Sequence, residues 1–364
     1  MVSKILPNVK PLIWMGIGRE LVINDQVTDD LNIVPTMKIL FEYIEKENHL
    51  SKIFIAGLSG AAFFIGWNAE TLLSGMGGSI YQFPRKDEPG IKNLFNTLGR
   101  ETKIIRHAEE GFKEEIIRSI DKNIPVFAVE WFPIERRGHN AIITGYDTSQ
   151  NVFYGRIYEF TEVENYVVIH PNELHYAVVI ENKLSNPLPM EQAIRNSITN
   201  ARELLTKGII DAPQEEEKWV CGVKAYELHA EMVKSLQPDD ELYSLKEHFI
   251  FWQLEVLYQA RLYAQYYLAE CIKFVSLDIA KYLSQASRIY NEFTIYFERN
   301  LKIIFLEEAE KYKTNLLWIK DNQIPLYKLM QKQEGRNEFT QFLLTLKQKE
   351  EEIIQVLNMI DNIY

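Results

Sequence analysis

The sequence predicts an α+β fold in which a domain built on an antiparallel sheet is followed by an all-helical domain. Two observations support this division. Short segments rich in Val, Ile and Tyr, separated by turn residues, follow one another between residues 125 and 181. Beyond the segment Asn186-Pro187-Leu188-Pro189 the apolar residues change to helical spacing. We therefore predict one domain over residues 1–187 and a second over residues 188–364.

The first domain is predicted to begin with irregular or extended chain over residues 1–30. A helix over 33–47 follows, because apolar residues recur there at helical spacing. The small residues at 57–62 predict that a helix begins near Ser59. The remaining elements of this domain are helices over 92–98 and 112–120, and strands over 125–131, 140–146, 151–157, 166–169 and 176–181.

The second domain is predicted to be helical almost throughout. Its helices span 190–207, 217–236, 241–270, 273–300, 301–319 and 336–361. The last helix carries an apolar stripe with a heptad-like rhythm, formed by Phe339, Leu343, Leu346, Ile353, Leu357 and Ile360. Such a stripe suits pairing with another helix, so a homodimer through the C-terminal helices is one predicted partnership.

The composition argues against several classes of partner. The net charge of −11 disfavours nucleic acid, because phosphate binding needs a basic face, and it equally disfavours an anionic membrane. No run of about 20 apolar residues is present, so no membrane-spanning helix is predicted. The two cysteines, Cys221 and Cys271, are predicted to be free thiols. Since the N-terminus does not resemble a signal peptide, the predicted location is the cytoplasm.

The segment 137–147 supplies the first candidate site residue, His139. It stands just before an apolar run, and another apolar run at 125–129 precedes it, so two adjacent strands would present His139 at a strand edge. A catalytic histidine needs a fixed tautomer and an open face, which this position offers. The alternative is a loop histidine that caps or packs. Asn140 and Tyr146 are predicted to line a binding cleft.

Ser59 is the second candidate. A turn of small residues that leads into a helix would aim a hydroxyl or a row of amides at a ligand, and helix N-termini hold anions well. The segment 57–61 only loosely matches a nucleophile elbow, because the second spaced glycine is absent. The alternative is a serine that caps a helix, with Gly60 allowing tight packing. We expect Ser59 and Gly60 to serve binding more than chemistry.

Asp147 is the third candidate catalytic residue, with two interpretations. It either orients His139 or simply occupies a turn, where aspartate is common. His170 and His175 have no third ligand at metal spacing, and the glycines at 75–78 do not match a dinucleotide or phosphate-binding loop. No metal and no cofactor are predicted.

Three segments together resemble one known family. Residues 57–63 resemble the segment after the first helix in the butirosin biosynthesis protein H N-terminal-like group, 138–156 resemble its histidine-bearing hairpin, and 220–227 are similar to the start of its helical domain. That group is related in fold to papain-like peptidases. The resemblance implies a papain-like N-terminal domain with amide, thioester or acyl-transfer chemistry at a Cys–His site. It also implies a small molecule, a peptide or an acyl-carrier protein as partner, since the founding member transfers an acyl group from a carrier protein to an aminoglycoside amine.

The sequence departs from this family at the nucleophile. In the family a cysteine opens the first helix, where its thiolate gains from the helix N-terminus. The corresponding position lies near Asn32, and its neighbours Leu31, Ile33 and Val34 are not nucleophiles either. The third catalytic residue of the family is usually an acid on the strand after the histidine. The corresponding position falls near residues 154–155, which contain no acid. Asn32 is therefore predicted to line the cleft.

Three functions follow as alternatives. The first is a papain-like protein that binds a peptide, an amide or an acyl group without cysteine-type catalysis, because loss of an activated nucleophile removes orders of magnitude of rate. The second is an acyltransferase or amide hydrolase in which His139 activates Ser59, which requires the two side chains within about 3 Å. The third is an assembly or scaffold role built on the helical domain. We favour the first.

Overall fold

The computed structural model describes most of the chain. The described residues are 3–13, 18–24, 31, 33–45, 50–68, 75–77, 89–130, 140–159, 166–211, 218–237, 243–309, 331–361 and 363. They form a mixed structure with an antiparallel sheet and C-terminal helices, which confirms the predicted fold class. Over these ranges, no helix combines the length and the apolarity needed to cross a bilayer.

The strands and helices are numbered in chain order. The strands are β1 (Ser3–Ile5), β2 (Leu12–Ile13), β3 (Ile65–Asn68), β4 (Gly75–Gly77), β5 (Arg100–Arg106), β6 (Val126–Glu130), β7 (Asn140–Asp147), β8 (Val152–Glu159), β9 (Val167–Ile169), β10 (Leu174–Lys183), β11 (Ile209–Asp211) and β12 (Lys218–Cys221). The helices are α1 (Arg19–Ile23), α2 (Ile33–Ile44), α3 (Lys52–Ser59), α4 (Pro89–Thr97), α5 (Phe112–Asp121), α6 (Met190–Thr206), α7 (Val223–Ser235), α8 (Tyr243–Cys271), α9 (Leu277–Ala309) and α10 (Gln333–Asp361).

The main sheet joins eight strands in the order β2, β8, β7, β6, β10 and β5, with β1 added to β7 and β9 to β8. Neighbouring strands are antiparallel except for β2 and β8, which are parallel. The five strands predicted from sequence correspond to β6 to β10. Strand β7 is buried from Asn140 to Tyr146, as expected for a central strand covered on both faces.

Helix α2 is the buried helix that packs on this sheet. All of its residues from Ile33 to Phe41 are buried, including the polar residues Thr36 and Lys38. It contacts β6 and β7 of the sheet and also α3. The helix ends at Ile44, three residues before the predicted end. Through its contacts with β6, β7 and α3, helix α2 connects the sheet to the helical layers of the molecule.

A second, smaller sheet joins the two halves of the chain. Its strands lie in the order β11, β12, β3 and β4, and Val220 of β12 pairs with Trp67 of β3. Two of these strands precede the predicted boundary at residue 187 and two follow it. One continuous apolar cluster likewise includes residues of both halves, such as Phe63 and Tyr290. The segments on either side of residue 187 therefore share a core.

The helix predicted to begin near Ser59 in fact ends there. Helix α3 begins after Ser51, whose side chain accepts a hydrogen bond from the Phe54 N–H and so caps the first turn. Gly60, with a φ of 87°, ends the helix in the left-handed conformation that glycine adopts readily. The prediction was wrong because the small residues that were assigned to the start of a helix are those that stop one.

Two predictions in the helical half also differ from the structure. The region predicted as one helix over 217–236 contains β12 and then α7, separated by Gly222 with a φ of 62°. A side chain at Gly222 would begin 2.1 Å from the Leu205 carbonyl oxygen, so the chain can turn sharply only with glycine there. The separate helices predicted at 273–300 and 301–319 are one helix as far as Ala309, and residues 310–319 lie outside the described ranges.

The apolar stripe of the last helix is buried inside the molecule. Helix α10 packs against α7 and α9, and its stripe residues from Phe339 to Ile360 are at most 1% exposed. Intramolecular packing thus accounts for the heptad-like rhythm. The homodimer remains a prediction.

Candidate functional site

Three residues predicted to line the cleft belong to helix α2 and strand β7 or stand next to them in the sequence: Asn32 precedes α2, and Asn140 and Tyr146 lie in β7. The two elements are in contact, and Asn140 begins β7 with a fully buried side chain opposite Val129 of β6. His139 and Asn32 lie outside the described residues, so their roles remain predictions. Because the Asn140 side chain does not reach the surface, it is suited to holding the start of the strand.

Asp147 lies at the opposite end of β7 from Asn140. At about 3.3 Å per residue, the strand separates these two residues by roughly 23 Å. The Asp147 Oδ1 accepts hydrogen bonds from the Ser149 hydroxyl at 2.6 Å and from the Ser149 and Gln150 N–H groups at 2.8 and 3.1 Å. The bond from the Ser149 hydroxyl lowers the pKa of Asp147. These contacts support the turn interpretation of Asp147.

Tyr146 is used in packing. Its buried side chain donates a hydrogen bond from the hydroxyl to Asp121 Oδ1 at 2.8 Å. That bond to Asp121 raises the pKa of Tyr146. The Lys4 ammonium donates to the Asp121 carbonyl oxygen at 2.9 Å. Tyr146 therefore ties the sheet to the C-terminal end of α5.

Ser59 is buried at the last position of α3, with 1% of its surface exposed. Its hydroxyl donates to the Ala56 carbonyl oxygen at 3.2 Å and accepts from the Ala61 N–H at 3.3 Å. Helix α3 packs against α2, α4, α6 and α8, whereas β7 packs against α2 and α5. The burial and the two local hydrogen bonds favour the structural interpretation of Ser59.

Gly60 serves the same turn. Besides its left-handed conformation, it lies close to α6, because a Cβ added there would sit 2.6 Å from the Asn200 Nδ2 atom. A larger residue would therefore require the Asn200 side chain to shift. Gly60 allows α3 to end against α6, which is a packing role.

Both cysteines are buried. Cys221 ends β12 and Cys271 ends α8, and neither side chain has measurable exposure. Burial raises the pKa of the Cys271 thiol far above its ordinary value. Because the thiolate is the reactive form of cysteine, a buried neutral thiol is a poor nucleophile. Neither cysteine is placed to attack a substrate.

An ion pair that was not predicted from the sequence lies buried among the helices. Arg261 of α8 donates from Nε to Glu350 Oε1 of α10, and both side chains are completely buried. The Glu350 carboxylate also accepts the hydroxyl groups of Tyr226 at 3.0 Å and Tyr290 at 3.1 Å. We call these four residues the buried cluster. The available sequence signal was an arginine within residues 256–268, a stretch rich in Leu, Tyr and Ala.

The buried cluster also holds the chain between α3 and β3. Arg261 Nη1 donates to the carbonyl oxygens of Ala62 at 2.9 Å and Phe64 at 3.3 Å. These two carbonyl groups follow the turn at Gly60. Because a buried carbonyl group needs a hydrogen-bond donor, the arginine stabilises an irregular segment that no helix or strand satisfies.

A second arginine cluster lies at the edge of the helices. Arg19 of α1 donates to Glu298 Oε1 at 3.0 Å and to Thr294 Oγ1 at 2.9 Å, both on α9. The Tyr258 hydroxyl donates to the same Glu298 oxygen at 2.6 Å. Burial opposes the charge of Arg19, but Glu298 outweighs it and the pKa of Arg19 is raised. We call Arg19, Glu298, Thr294 and Tyr258 the edge cluster.

A surface pocket of about 620 Å³ lies at the start of α5. It is lined by two histidines, His107 and His170, and by Phe112, Lys113 and Asn151 among others. Lys113 Nζ donates to Asn151 Oδ1 at 2.9 Å, so the lysine is already paired. Asn151 belongs to the turn between β7 and β8, which places the pocket at the opposite end of β7 from Asn140. Among the residues that the structure describes, no three His, Cys, Asp or Glu side chains are grouped to hold a metal.

Comparison with known proteins leaves the family undetermined. No protein-family model matches the sequence, and no curated protein matches it. The resemblance to the butirosin biosynthesis H-like group therefore remains a prediction from the segments quoted above.

Proposed function

We propose that this chain is a papain-like-fold protein similar to the butirosin biosynthesis H-like group. It binds a peptide, an amide or an acyl group in a cleft at the start of α2 and of β7, where Asn32 and His139 stand in the sequence, and it does so without cysteine-type catalysis. The observation that supports the lack of cysteine-type catalysis is the burial of Cys221 and Cys271, since neither thiol reaches a surface that a substrate could contact. Its partners would be a small molecule, a peptide or an acyl-carrier protein.

The contacts of α2 support the same function. In papain-like proteins, as the resemblance implies, the nucleophile stands at the start of the helix that packs on the sheet. Here the described first turn of that helix, from Ile33 to Thr36, is buried and contains no cysteine. A helix and a strand that could flank such a cleft are thus in contact here, and the described first turn of the helix holds no thiol.

The acyltransferase or hydrolase alternative depends on Ser59. Its hydroxyl would have to leave a buried position where it bonds to Ala56 and Ala61. A serine nucleophile needs a base within about 3 Å in the reactive state. The alternative therefore requires a rearrangement of the end of α3, which makes it the less favoured function.

Labelling of the purified protein tests whether catalysis is absent. The folded protein is treated with a serine-reactive fluorophosphonate and, separately, with a thiol-reactive acyl probe, and the labelled sites are mapped by mass spectrometry. We expect no label on Ser59, Cys221 or Cys271. A label on Ser59 that disappears in His139→Ala would show an activated serine and contradict the proposal.

Binding is tested with two defined probes, a non-hydrolysable acyl-pantetheine amide and an N-acetylated tripeptide amide. We expect at least one probe to raise the melting temperature, and we expect His139→Ala to weaken that effect. Asp147→Ala is the matched control, because Asp147 lies at the other end of the same strand and should leave binding unchanged. No response to either probe, or an equal loss in both variants, would argue against a cleft at α2 and β7.

A further inference from the structure

Helix α1 is a short segment whose position depends on the surface beneath it. Its five residues bury one side chain, Val22, while Ile23 remains 60% exposed. Helices shorter than about 12 residues are marginal in isolation, because nucleation is costly. The segment therefore keeps its helical form through contacts with α3, α8 and α9.

The surface binds the backbone of the segment as well as its side chains. Gln259 of α8 accepts the Gly18 N–H through Oε1 at 2.9 Å. Lys52 of α3 donates through Nζ to the Leu21 carbonyl oxygen at 2.6 Å. Both Gln259 and Lys52 are completely buried, so these polar groups lie beneath the segment. The surface thus forms hydrogen bonds with one amide and one carbonyl group of the segment that covers it.

The same surface holds the arginine of the segment by its guanidinium group. Glu298 and Thr294 accept hydrogen bonds from Arg19, as described for the edge cluster, and Gln265 Oε1 accepts one from Nη1 at 3.3 Å. A carboxylate, a hydroxyl and an amide oxygen therefore converge on one cation. This arrangement of acceptors suits a guanidinium group, because its fork presents several N–H groups in one plane.

We infer that residues 18–23 act as an intramolecular peptide ligand of the surface formed by α3, α8 and α9, and that an arginine-bearing peptide segment in trans competes for the same surface. Peptide recognition combines main-chain hydrogen bonds, which give affinity, with side-chain pockets, which give specificity. Here Gln259 and Lys52 supply the first, and Glu298 with its neighbours supplies the second. The inference is independent of the proposed cleft at the start of α2 and β7.

The accessibility of Lys52 reports whether the segment is bound. We would measure the rate at which an amine-reactive acetylating reagent modifies Lys52, by mass spectrometry of the full-length folded protein. In Arg19→Glu the two carboxylates repel each other. We expect labelling to become about tenfold faster, which corresponds to ~1.4 kcal/mol of local opening free energy. The double variant Arg19→Glu/Glu298→Arg should restore protection by recreating the pair.

Two controls keep this result interpretable. Arg195→Glu removes an exposed arginine that pairs with Glu191 on α6, and it should leave the Lys52 rate unchanged. Arg19→Gln, which loses the charge without repulsion, serves if Arg19→Glu does not fold. Unchanged labelling in the folded Arg19 variant, or failure of the charge swap to restore protection, would overturn the inference.

Recognition in trans is tested with a synthetic peptide of residues 18–24, acetylated and amidated at its ends. At millimolar concentration it should slow Lys52 labelling in Arg19→Glu, because it occupies the vacated surface. The same peptide with glutamate in place of Arg19 should not protect. Equal behaviour of the two peptides would show that the surface does not recognise the arginine, and the inference would fail.

Discussion

The ion pairs Arg261–Glu350 and Arg19–Glu298 differ in burial and in the contacts that they stabilise. In the buried cluster, Arg261 and Glu350 are both 0% exposed, whereas in the edge cluster Arg19 and Glu298 have side chains that are 29% and 24% exposed. The first pair joins two long helices and the turn after α3. The second attaches a five-residue helix to the surface. The same chemical pair therefore supports the whole fold in one place and a local docking contact in the other.

The difference follows from solvation. A charge without water must find its hydrogen-bond partners within the protein, and a buried charge that loses its partner is strongly destabilising. A partly exposed pair is solvated in both states, so it contributes little to the free energy of unfolding. The two clusters provide matched sites at which this contrast can be measured.

Glu350→Gln is expected to have the largest effect. The substitution keeps the shape of the side chain but leaves the Arg261 charge buried without its counter-charge, which typically costs about 3–5 kcal/mol of unfolding free energy. Urea denaturation followed by circular dichroism would measure it. The double variant Arg261→Met/Glu350→Leu should recover part of the loss, because no charge then remains buried. A loss below about 1 kcal/mol for Glu350→Gln would remove the contrast between the two clusters.

Gly60→Ala tests the turn that Arg261 supports. The new methyl group would meet Asn200 and would also strain a residue with a φ of 87°, so we expect a loss of roughly 2–3 kcal/mol. Gly111→Ala is the control, since Gly111 has a φ of 82° but nothing within 4 Å of an added Cβ. That variant should lose only about 1–2 kcal/mol from backbone strain. Equal losses would show that contact with α6 does not matter.

His229 shows what burial does to a titratable group outside the two ion-pair clusters. It lies buried in α7 with its ring 6.2 Å from that of Phe339, and burial lowers its pKa to about 3. In the unfolded chain the pKa of the His229 side chain is near 6.5, so the side chain binds a proton there at pH values at which it stays neutral in the folded protein. Stability contributed by neutral His229 is therefore complete above about pH 6.5 and is lost as the pH falls toward 3.

At pH 5 we expect His229 to lower the free energy of unfolding by ~2 kcal/mol relative to pH 7. His229→Phe should flatten this part of the pH profile. The carboxylates contribute to acid unfolding in both proteins, so the informative quantity is the difference between the two profiles. Profiles that stay parallel from pH 7 to pH 5 would show that His229 titrates normally in the folded protein.

The sequence predicted β6 to β10 of the main sheet, because local patterns indicate where such strands lie, but it did not predict β5 or the strands of the small sheet. Strand β7 was predicted at 140–146 and spans Asn140 to Asp147, and α2 was predicted to within three residues at its end. Apolar periodicity reveals which residues are buried, whatever they pack against. Helix α3 was misplaced because the small residues at its end, which stop the helix at Gly60, were assigned to the start of a helix.

Partners distant in sequence were not predictable in the same way. Arg261 and Glu350 are 89 residues apart, and Arg19 and Glu298 are 279 apart, so no spacing rule connects them. The pairing of Trp67 with Val220 in the small sheet is hidden for the same reason. The candidate Ser59 illustrates the consequence for function, because its neighbours in sequence resemble a reactive turn while its contacts in space make it part of the core.

The substitution of Glu298 is expected to have the smallest effect. Glu298→Gln matches Glu350→Gln in chemistry and still leaves an oxygen to accept the Tyr258 hydroxyl, so only the charge of the edge cluster changes. We expect a loss of about 0.5–1 kcal/mol, because the pair is partly solvated before and after the substitution. Raising the salt concentration to about 1 M should shrink this loss further, since ions screen exposed charges. The larger loss caused by Glu350→Gln should hardly respond to salt, because ions do not reach the buried cluster. If salt affected both variants equally, exposure would not be the property that separates the two arginine pairs.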